Sequence, residues 1–110
     1  MSGIFYIKSN DTSPALAYEL VPASVDLTGA TVKFSMRQVG QNAALISRSA
    51  AIVLIATVTP TVKYVWQPGD VANRGDLLCE GEFEVTYADG SIETFPNSGY
   101  IPIHFQSDIA

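Results

Sequence analysis

CEGEFEVTYADGSIETFP, residues 79–96, is the stretch that decides the fold class of this chain. In its first half, from Cys79 to Tyr87, small or apolar side chains alternate with glutamates and a threonine. A period of two predicts a strand with one buried and one solvent-facing side. Asp89-Gly90 then predicts a tight hairpin turn, because both residues tolerate the positive φ that a type I′ turn requires. The stretch therefore predicts two antiparallel strands joined at residues 89–90.

The register of this predicted hairpin contains a conflict. A two-residue turn sets Tyr87 opposite Ile92 and Glu84 opposite Phe95. Ile92 and Phe95 are three positions apart, so a regular strand cannot bury both of them. Either a bulge shifts the register, or Phe95 lies on the outer face as a contact for another molecule. We expect the bulge, and we keep Phe95 as a candidate interface residue.

The composition is typical of one folded, acidic domain. The chain has 110 residues, of which 47% are hydrophobic and 15% are charged. We therefore expect a single domain over residues 1–110, large enough for one core without disulfides. Six basic against eleven acidic residues give a net charge of −5. Such a chain lacks the basic patch that binds a phosphate backbone, so we expect no nucleic-acid partner.

Short strands with turns between them account for the rest of the chain. Beyond the hairpin, strands are predicted at residues 4–8, 15–21, 31–37, 50–58, 62–66 and 100–105, which gives seven or eight in all. Residues 39–48 are the least defined, and a helix over residues 43–56 is an alternative. The pattern predicts an all-β fold, an antiparallel sandwich or barrel. We expect the sandwich, with immunoglobulin-like topology and Trp66 in its core.

The most apolar segment is AAIVLIATV, residues 50–58. Its nine residues are too few to cross a bilayer as a helix, so we expect no membrane partner. Its β-branched residues favour a strand, either buried on both faces or meeting a neighbouring subunit. Ile52, Val53, Leu54 and Ile55 are therefore candidate interface residues.

An acidic row, Glu80, Glu82 and Glu84, lies on the outer face of the first hairpin strand. Lys33 and Arg37 alternate along another predicted strand and are candidates to pair with the row, at about 0.2–1 kcal/mol for each pair. We interpret the row as a solvated face, and docking of a basic partner is the alternative.

The sequence contains no recognisable catalytic or cofactor motif. Cys79 is the only cysteine and His104 the only histidine, with Cys79 predicted to point inward and His104 outward. A phosphate loop, a nucleophile elbow, a dinucleotide fingerprint and Cys/His metal spacing are all absent from the sequence. We therefore expect no enzymatic activity, no cofactor and no metal. With no disulfide pair and no signal peptide, we expect a cytosolic origin.

Four stretches carry a resemblance to a known family. They are IKSNDTSPALAYEL (residues 7–20), VDLTGATVKFSMR (25–37), VKYVWQPGDVANRG (62–75) and the segment from residue 79 to residue 105. Together they resemble the small immunoglobulin-like domain of tailed-phage virion proteins, similar to the N-terminal domain of the baseplate upper protein family. The most specific parts are LTGATV, Tyr-x-Trp-x-x-Gly-Asp and ADG-x-x-ETFPN-x-GY, and residues 39–60 are not covered.

The resemblance implies a structural component of a tailed bacteriophage particle, made in the host bacterial cytoplasm and located in the virion. Its expected partners are other virion proteins of the baseplate, tail, neck or capsid, in a symmetric assembly of many copies that includes homo-oligomers. Larger family members continue into a receptor-binding or trimerising region, and we expect no such region within residues 1–110. Sheet edges and the terminal tail add Tyr100 and Ile109 to the candidate interface residues.

Two alternative functions remain open. One is a capsid decoration protein. The other is a module that binds a carbohydrate or a host receptor, with Tyr6, Tyr100 or Phe95 as a stacking platform. In this alternative, residues 67–76 and 97–100 supply polar groups beside the aromatic ring.

Overall fold

Eight β-strands build the chain in a computed structural model, which describes residues 3–22, 24–71, 75–107 and 109. The strands are β1 (Phe5–Lys8), β2 (Leu16–Glu19), β3 (Thr31–Gln38), β4 (Ala44–Ile55), β5 (Thr61–Tyr64), β6 (Leu77–Thr86), β7 (Ile92–Phe95) and β8 (Ile101–Gln106). A single helical turn, α1 (Pro68–Val71), follows β5. The predicted all-β class is confirmed, and the predicted strand at residues 50–58 begins earlier, at Ala44, and ends at Ile55.

The strands form one mixed sheet in the order β1-β8-β6-β3-β4-β5-β2, with β7 paired to β6. Neighbouring strands are antiparallel except β1 and β8, which run in parallel with Phe5 beside Ile103. The expectation of a purely antiparallel arrangement is therefore wrong at this edge. Short turns impose antiparallel pairing only on strands that follow each other in sequence, and β1 and β8 come from the two ends of the described chain.

Strand β4 joins the two halves of the sheet and bends between them. Its first half pairs with β3, and its second half pairs with β5, where Ile52 lies opposite Lys63. Two register shifts interrupt the β3–β4 ladder, and near them Arg48 adopts a φ of 50°. The Arg48 amide donates a hydrogen bond of 2.9 Å to Ser35 Oγ. Because bulges bend a strand and increase its twist, β4 curls the sheet into a nearly barrel-like shape.

The core lies between the β2–β5 end of the sheet and the strands β3, β6 and β8. The Phe34 ring of β3 lies 4.6 Å from the Tyr64 ring and 5.8 Å from the Trp66 ring. The Phe83 ring lies 5.0 Å from the Phe34 ring, and the Phe105 ring lies 5.6 Å from the Trp66 ring. All five aromatic side chains are almost fully buried. The prediction that Trp66 belongs to the core is confirmed.

The β6–β7 hairpin has a different turn from the one predicted. The amide of Tyr87 donates to the carbonyl of Ser91, so the loop contains three residues, 88–90, with Gly90 at a φ of 90°. This is the geometry of a turn that ends in a glycine bulge, and it moves the register by one residue. Phe95 now pairs with Phe83 and is 1% exposed, while Ile92 points outward. The two-residue register is wrong, and the expected shift that buries Phe95 is confirmed.

Candidate interaction surfaces

The outer face of β4 carries a strip of exposed apolar side chains. Ile52, Leu54 and Ile55 form this β4 strip, with exposed fractions of 48%, 49% and 43%. Val53 points to the opposite face and packs partly against the core. The expectation of a strand buried on both faces is therefore wrong within this chain. The strip is open to a second molecule.

The β4 strip continues into the β4–β5 turn. Val58 is 80% exposed there and has a φ of 73°. The amide of Thr59 bonds to the carbonyl of Thr57 at 2.9 Å, so Val58 is the centre of a γ-turn with positive φ, a strained conformation for a β-branched residue. The exposed Val21 lies at the same end of the sheet, because the neighbouring Leu20 amide bonds to the Pro60 carbonyl. Sequence analysis did not identify these two valines.

Lysines border the β4 strip. The ladder of β4 with β5 sets Lys63 opposite Ile52, and the ladder with β3 sets Lys33 opposite Ala50. Both lysines come from alternating strands whose other side chains, such as Val32 and Val62, point into the core. The strip is therefore an apolar surface with a cationic border.

A second surface lies where the chain leaves β7 and enters β8. Phe95 pairs with Phe83 and Ile101 pairs with Gly81, so residues 96–100 form a five-residue detour opposite the single residue Glu82. The turn-forming residues Pro96, Asn97 and Gly99 make such a detour possible.

The detour brings Tyr100 against the side chain of Arg37. The guanidinium carbon of Arg37 lies 4.9 Å from the centre of the Tyr100 ring, and Nη2 donates a hydrogen bond of 3.1 Å to its hydroxyl. Arg37 Nε donates to Glu80 Oε2 at 2.8 Å. This bond and the negative charge near it raise the pKa of Arg37 further above its usual range. A planar cation is thus held in place beside the exposed aromatic ring.

One member of the acidic row, Glu82, accepts no hydrogen bond or ion pair from the described residues. In the β3–β6 ladder, Lys33 lies opposite Glu84 and Arg37 opposite Glu80. Arg48 Nη2 lies 3.8 Å from Glu84 Oε2, so Glu84 has a second basic neighbour. Glu82 lies opposite Ser35, and no described residue donates a hydrogen bond or an ion pair to its carboxylate. The predicted pairing of Arg37 with the row is confirmed at Glu80.

The remaining predicted site residues are scattered. Phe95 is buried and is not available to a partner of this chain. Ile109 is 99% exposed beyond β8, while residues 108 and 110 of the tail lie outside the described residues. Tyr6 is exposed on the edge strand β1, with its ring 5.5 Å from that of His104. Tyr6 and Tyr100 therefore belong to separate surfaces.

Residues 67–76 contribute to neither surface in the part that the structure describes. Asp70 instead accepts hydrogen bonds from the Gln67 amide and the Tyr64 hydroxyl, which closes α1 onto the core. Burial and the bond to Asp70 raise the pKa of Tyr64 to about 12. Residues 72–74 of the predicted loop lie outside the described residues.

The described residues contain no group of three or more His, Cys, Asp or Glu side chains placed to hold a metal ion. None of their helices has the length and apolar character needed to span a membrane. Neither a protein-family model nor a curated protein sequence matches this chain.

Proposed function

We propose that this chain is a non-enzymatic structural component of a tailed-phage particle that holds neighbouring virion proteins together. The observation that carries the proposal is the β4 strip, which leaves Ile52, Leu54 and Ile55 about half exposed. Exposed apolar residues in a continuous patch are typical of protein–protein contact sites. The phage assignment itself rests on the sequence resemblance in residues 7–37 and 62–105.

We also propose that the fold is a variant of the immunoglobulin-like sandwich. Immunoglobulin domains place strands B, E and D in one layer and strands G, F and C in the other. The orders β2-β5-β4 and β8-β6-β3 match these two layers, with β4 passing between them. The ring contacts of Tyr64 and Trp66 with Phe34 support two facing layers. Strand β1 departs from the plan because it pairs with β8 instead of β2.

The number of exposed apolar side chains in the strip indicates the strength of the contact that it can form. Full burial of an Ile or Leu side chain contributes about 1.5–3 kcal/mol, so half-exposed side chains gain roughly 1 kcal/mol each on contact. The three residues of the β4 strip then provide about 3 kcal/mol, and Val58 and Val21 add a similar amount. A contact of this strength is weak when it stands alone. Repeated in a symmetric assembly, it becomes strong through effective concentration.

The test is incorporation of a variant that carries Ile52→Lys and Leu54→Lys. Both side chains point away from the core, so the variant should fold, while two desolvated ammonium groups would prevent docking. We expect the purified variant to lose association with virion proteins, measured by co-sedimentation, and to be missing from particles assembled in its presence. Ile92→Lys is the control, because Ile92 is also exposed, at 62%, and lies on β7, outside the strip.

Two outcomes would contradict the proposal. One is a double variant that enters particles as well as the unmodified chain does. The other is an unmodified chain that stays monomeric with every virion component. Loss of incorporation in the Ile92→Lys control as well would show a general effect of surface charge and would also remove support for the β4 strip.

A further inference from the structure

The depression beside Tyr100 has the size of a small ligand. It encloses about 190 Å³ between β3, the start of β4, β6 and the 96–100 detour. Its polar lining consists of Ser35, Arg37, Asn42, Glu80, Glu82 and Tyr100. Sites for drug-sized molecules occupy about 300–1,000 Å³, so this depression suits a ligand of a single ring.

The charges of the lining disfavour an anionic ligand. Glu80 and Glu82 repel an anion, and Arg37 is held in the same wall by its bond to Glu80. An apolar ligand would leave the carboxylate of Glu82 without a hydrogen bond after water is displaced. A neutral ligand with several groups that both donate and accept hydrogen bonds can satisfy Arg37 and Glu82 together.

Donors and acceptors stand close together in the lining. Arg37 uses two of its donors, Nε to Glu80 and one on Nη2 to Tyr100, and a guanidinium has five. Glu82 offers acceptor oxygens that no described residue uses. Asn42 supplies an exposed amide, which has both donors and acceptor. Vicinal hydroxyl groups are complementary to such a set, because each hydroxyl donates to a carboxylate and accepts from an N–H.

Tyr100 supplies the apolar contact that such a ligand needs. Its side chain is 45% exposed, and the bond from Arg37 to its hydroxyl limits its motion. Aromatic rings with one polar end pack against molecules that combine an apolar face with polar edges. A pyranose ring has this character, with C–H groups on its faces and hydroxyls around its rim.

We propose that the depression between Tyr100 and Glu82 is a binding site for a neutral pyranose sugar. The hydroxyls of the sugar donate to Glu82 and accept from Arg37 or Asn42, and one ring face packs on Tyr100. This proposal uses the outer faces of β3 and β6 and the detour, and it does not depend on the β4 strip. Either surface can therefore fail its test without affecting the other.

The experiment is an NMR titration of the full chain with four free monosaccharides: glucose, galactose, mannose and N-acetylglucosamine. We expect at least one of them to give saturable shifts at Tyr100 and Glu82 with a Kd of the order of millimolar, as for a small single-site ligand. Glu82→Gln keeps the shape and removes the charge, and we expect it to weaken binding about 10-fold. Tyr100→Ala should weaken binding by at least as much.

Matched controls separate binding from folding. Tyr6→Ala removes an equally exposed ring on another surface and should leave the Kd unchanged. Tyr100→Phe keeps the ring and should bind more tightly than Tyr100→Ala. Each variant is compared only after its backbone spectrum matches that of the unmodified chain, and Glu82→Gln keeps the test valid if Tyr100→Ala does not fold.

Three results would overturn the proposal. The first is the absence of saturable shifts with all four sugars up to about 100 mM, which is beyond the range of a usable site. The second is binding that is unchanged by both Glu82→Gln and Tyr100→Ala. The third is preference for a lysine-rich peptide over every sugar, with an affinity that falls as salt increases, which would identify the acidic row as a docking face for a basic protein.

Discussion

Replacement of Gly81 by Ala tests the packing of the core most directly. Gly81 is buried on β6, and a Cβ atom at this position would lie 2.9 Å from two ring carbons of Phe34 and 3.0 Å from Ile103 Cδ1. The Phe34 ring has little room to move, because it packs against Tyr64 at 4.6 Å and Phe83 at 5.0 Å. The added methyl group therefore has to displace a ring that is confined on several sides.

The magnitude follows from two opposing effects. Overpacking of a tight core costs about 1–3 kcal/mol. Replacement of glycine by alanine reduces the conformational entropy of the unfolded chain, which stabilises the folded state by about 0.4–1 kcal/mol. This gain applies at Gly81 because its φ is not positive, so alanine can adopt the same backbone conformation. We expect a net loss of about 1–2 kcal/mol in the free energy of unfolding. For a domain of this size, that lowers Tm by roughly 5–10 °C.

The assay is equilibrium unfolding in urea, followed by the fluorescence of the buried Trp66. Gly69→Ala is the matched control, because no atom lies within 4 Å of the position of its Cβ, and it should not reduce stability. Phe34→Leu makes room beside Gly81 and should therefore cost less in the Gly81→Ala background than in the unmodified chain.

The result that would refute this reasoning is a Gly81→Ala variant as stable as the unmodified chain. Additive effects of Gly81→Ala and Phe34→Leu would also refute it, because residues in direct contact are expected to couple. Either outcome would mean that the Phe34 ring is free to move away from β6.

Two further predictions concern the β4–β5 turn and two tyrosines, Tyr64 and Tyr87. Val58→Gly should raise the free energy of unfolding by about 1 kcal/mol, because it removes strain from the γ-turn without loss of packing. Val39→Gly is the control, because Val39 is exposed and has no positive φ, and it should not raise the free energy of unfolding. A lower Tm for Val58→Gly would contradict the prediction. Burial raises the pKa of Tyr64 and of Tyr87 from 10.0 to about 12, helped by hydrogen bonds to Asp70 and Glu93 respectively. Folding therefore favours the neutral phenols, so their contribution to stability is complete below pH 10 and is lost as the pH rises towards 12. Tyr64→Phe should make the decline of Tm between these pH values shallower, and phenol absorbance of the folded chain that titrates entirely near pH 10 would argue against it.

The acidic row shows which features of the candidate site can be predicted from the sequence. Alternation along β6 places Glu80, Glu82 and Glu84 on one outer face, and this follows from the period of two alone. Which of them has a basic neighbour depends on the β3–β6 register, and that register leaves Glu82 opposite Ser35. The sequence contains the turn residues of the 96–100 detour, but its contact with Arg37 exists only after β3, β6 and β8 are aligned.

The sequence by itself determined the all-β class and the buried side of the regularly alternating strands, as Cys79, Phe83 and Val85 on β6 illustrate. Such patterns are local, because a side chain in a strand points to the face opposite that of its neighbours. Only the tertiary structure decided which strands pair, in which direction, and that the outer face of β4 stays open at Ile52. These choices depend on contacts between residues far apart in the chain, and those contacts form together when the aromatic core packs.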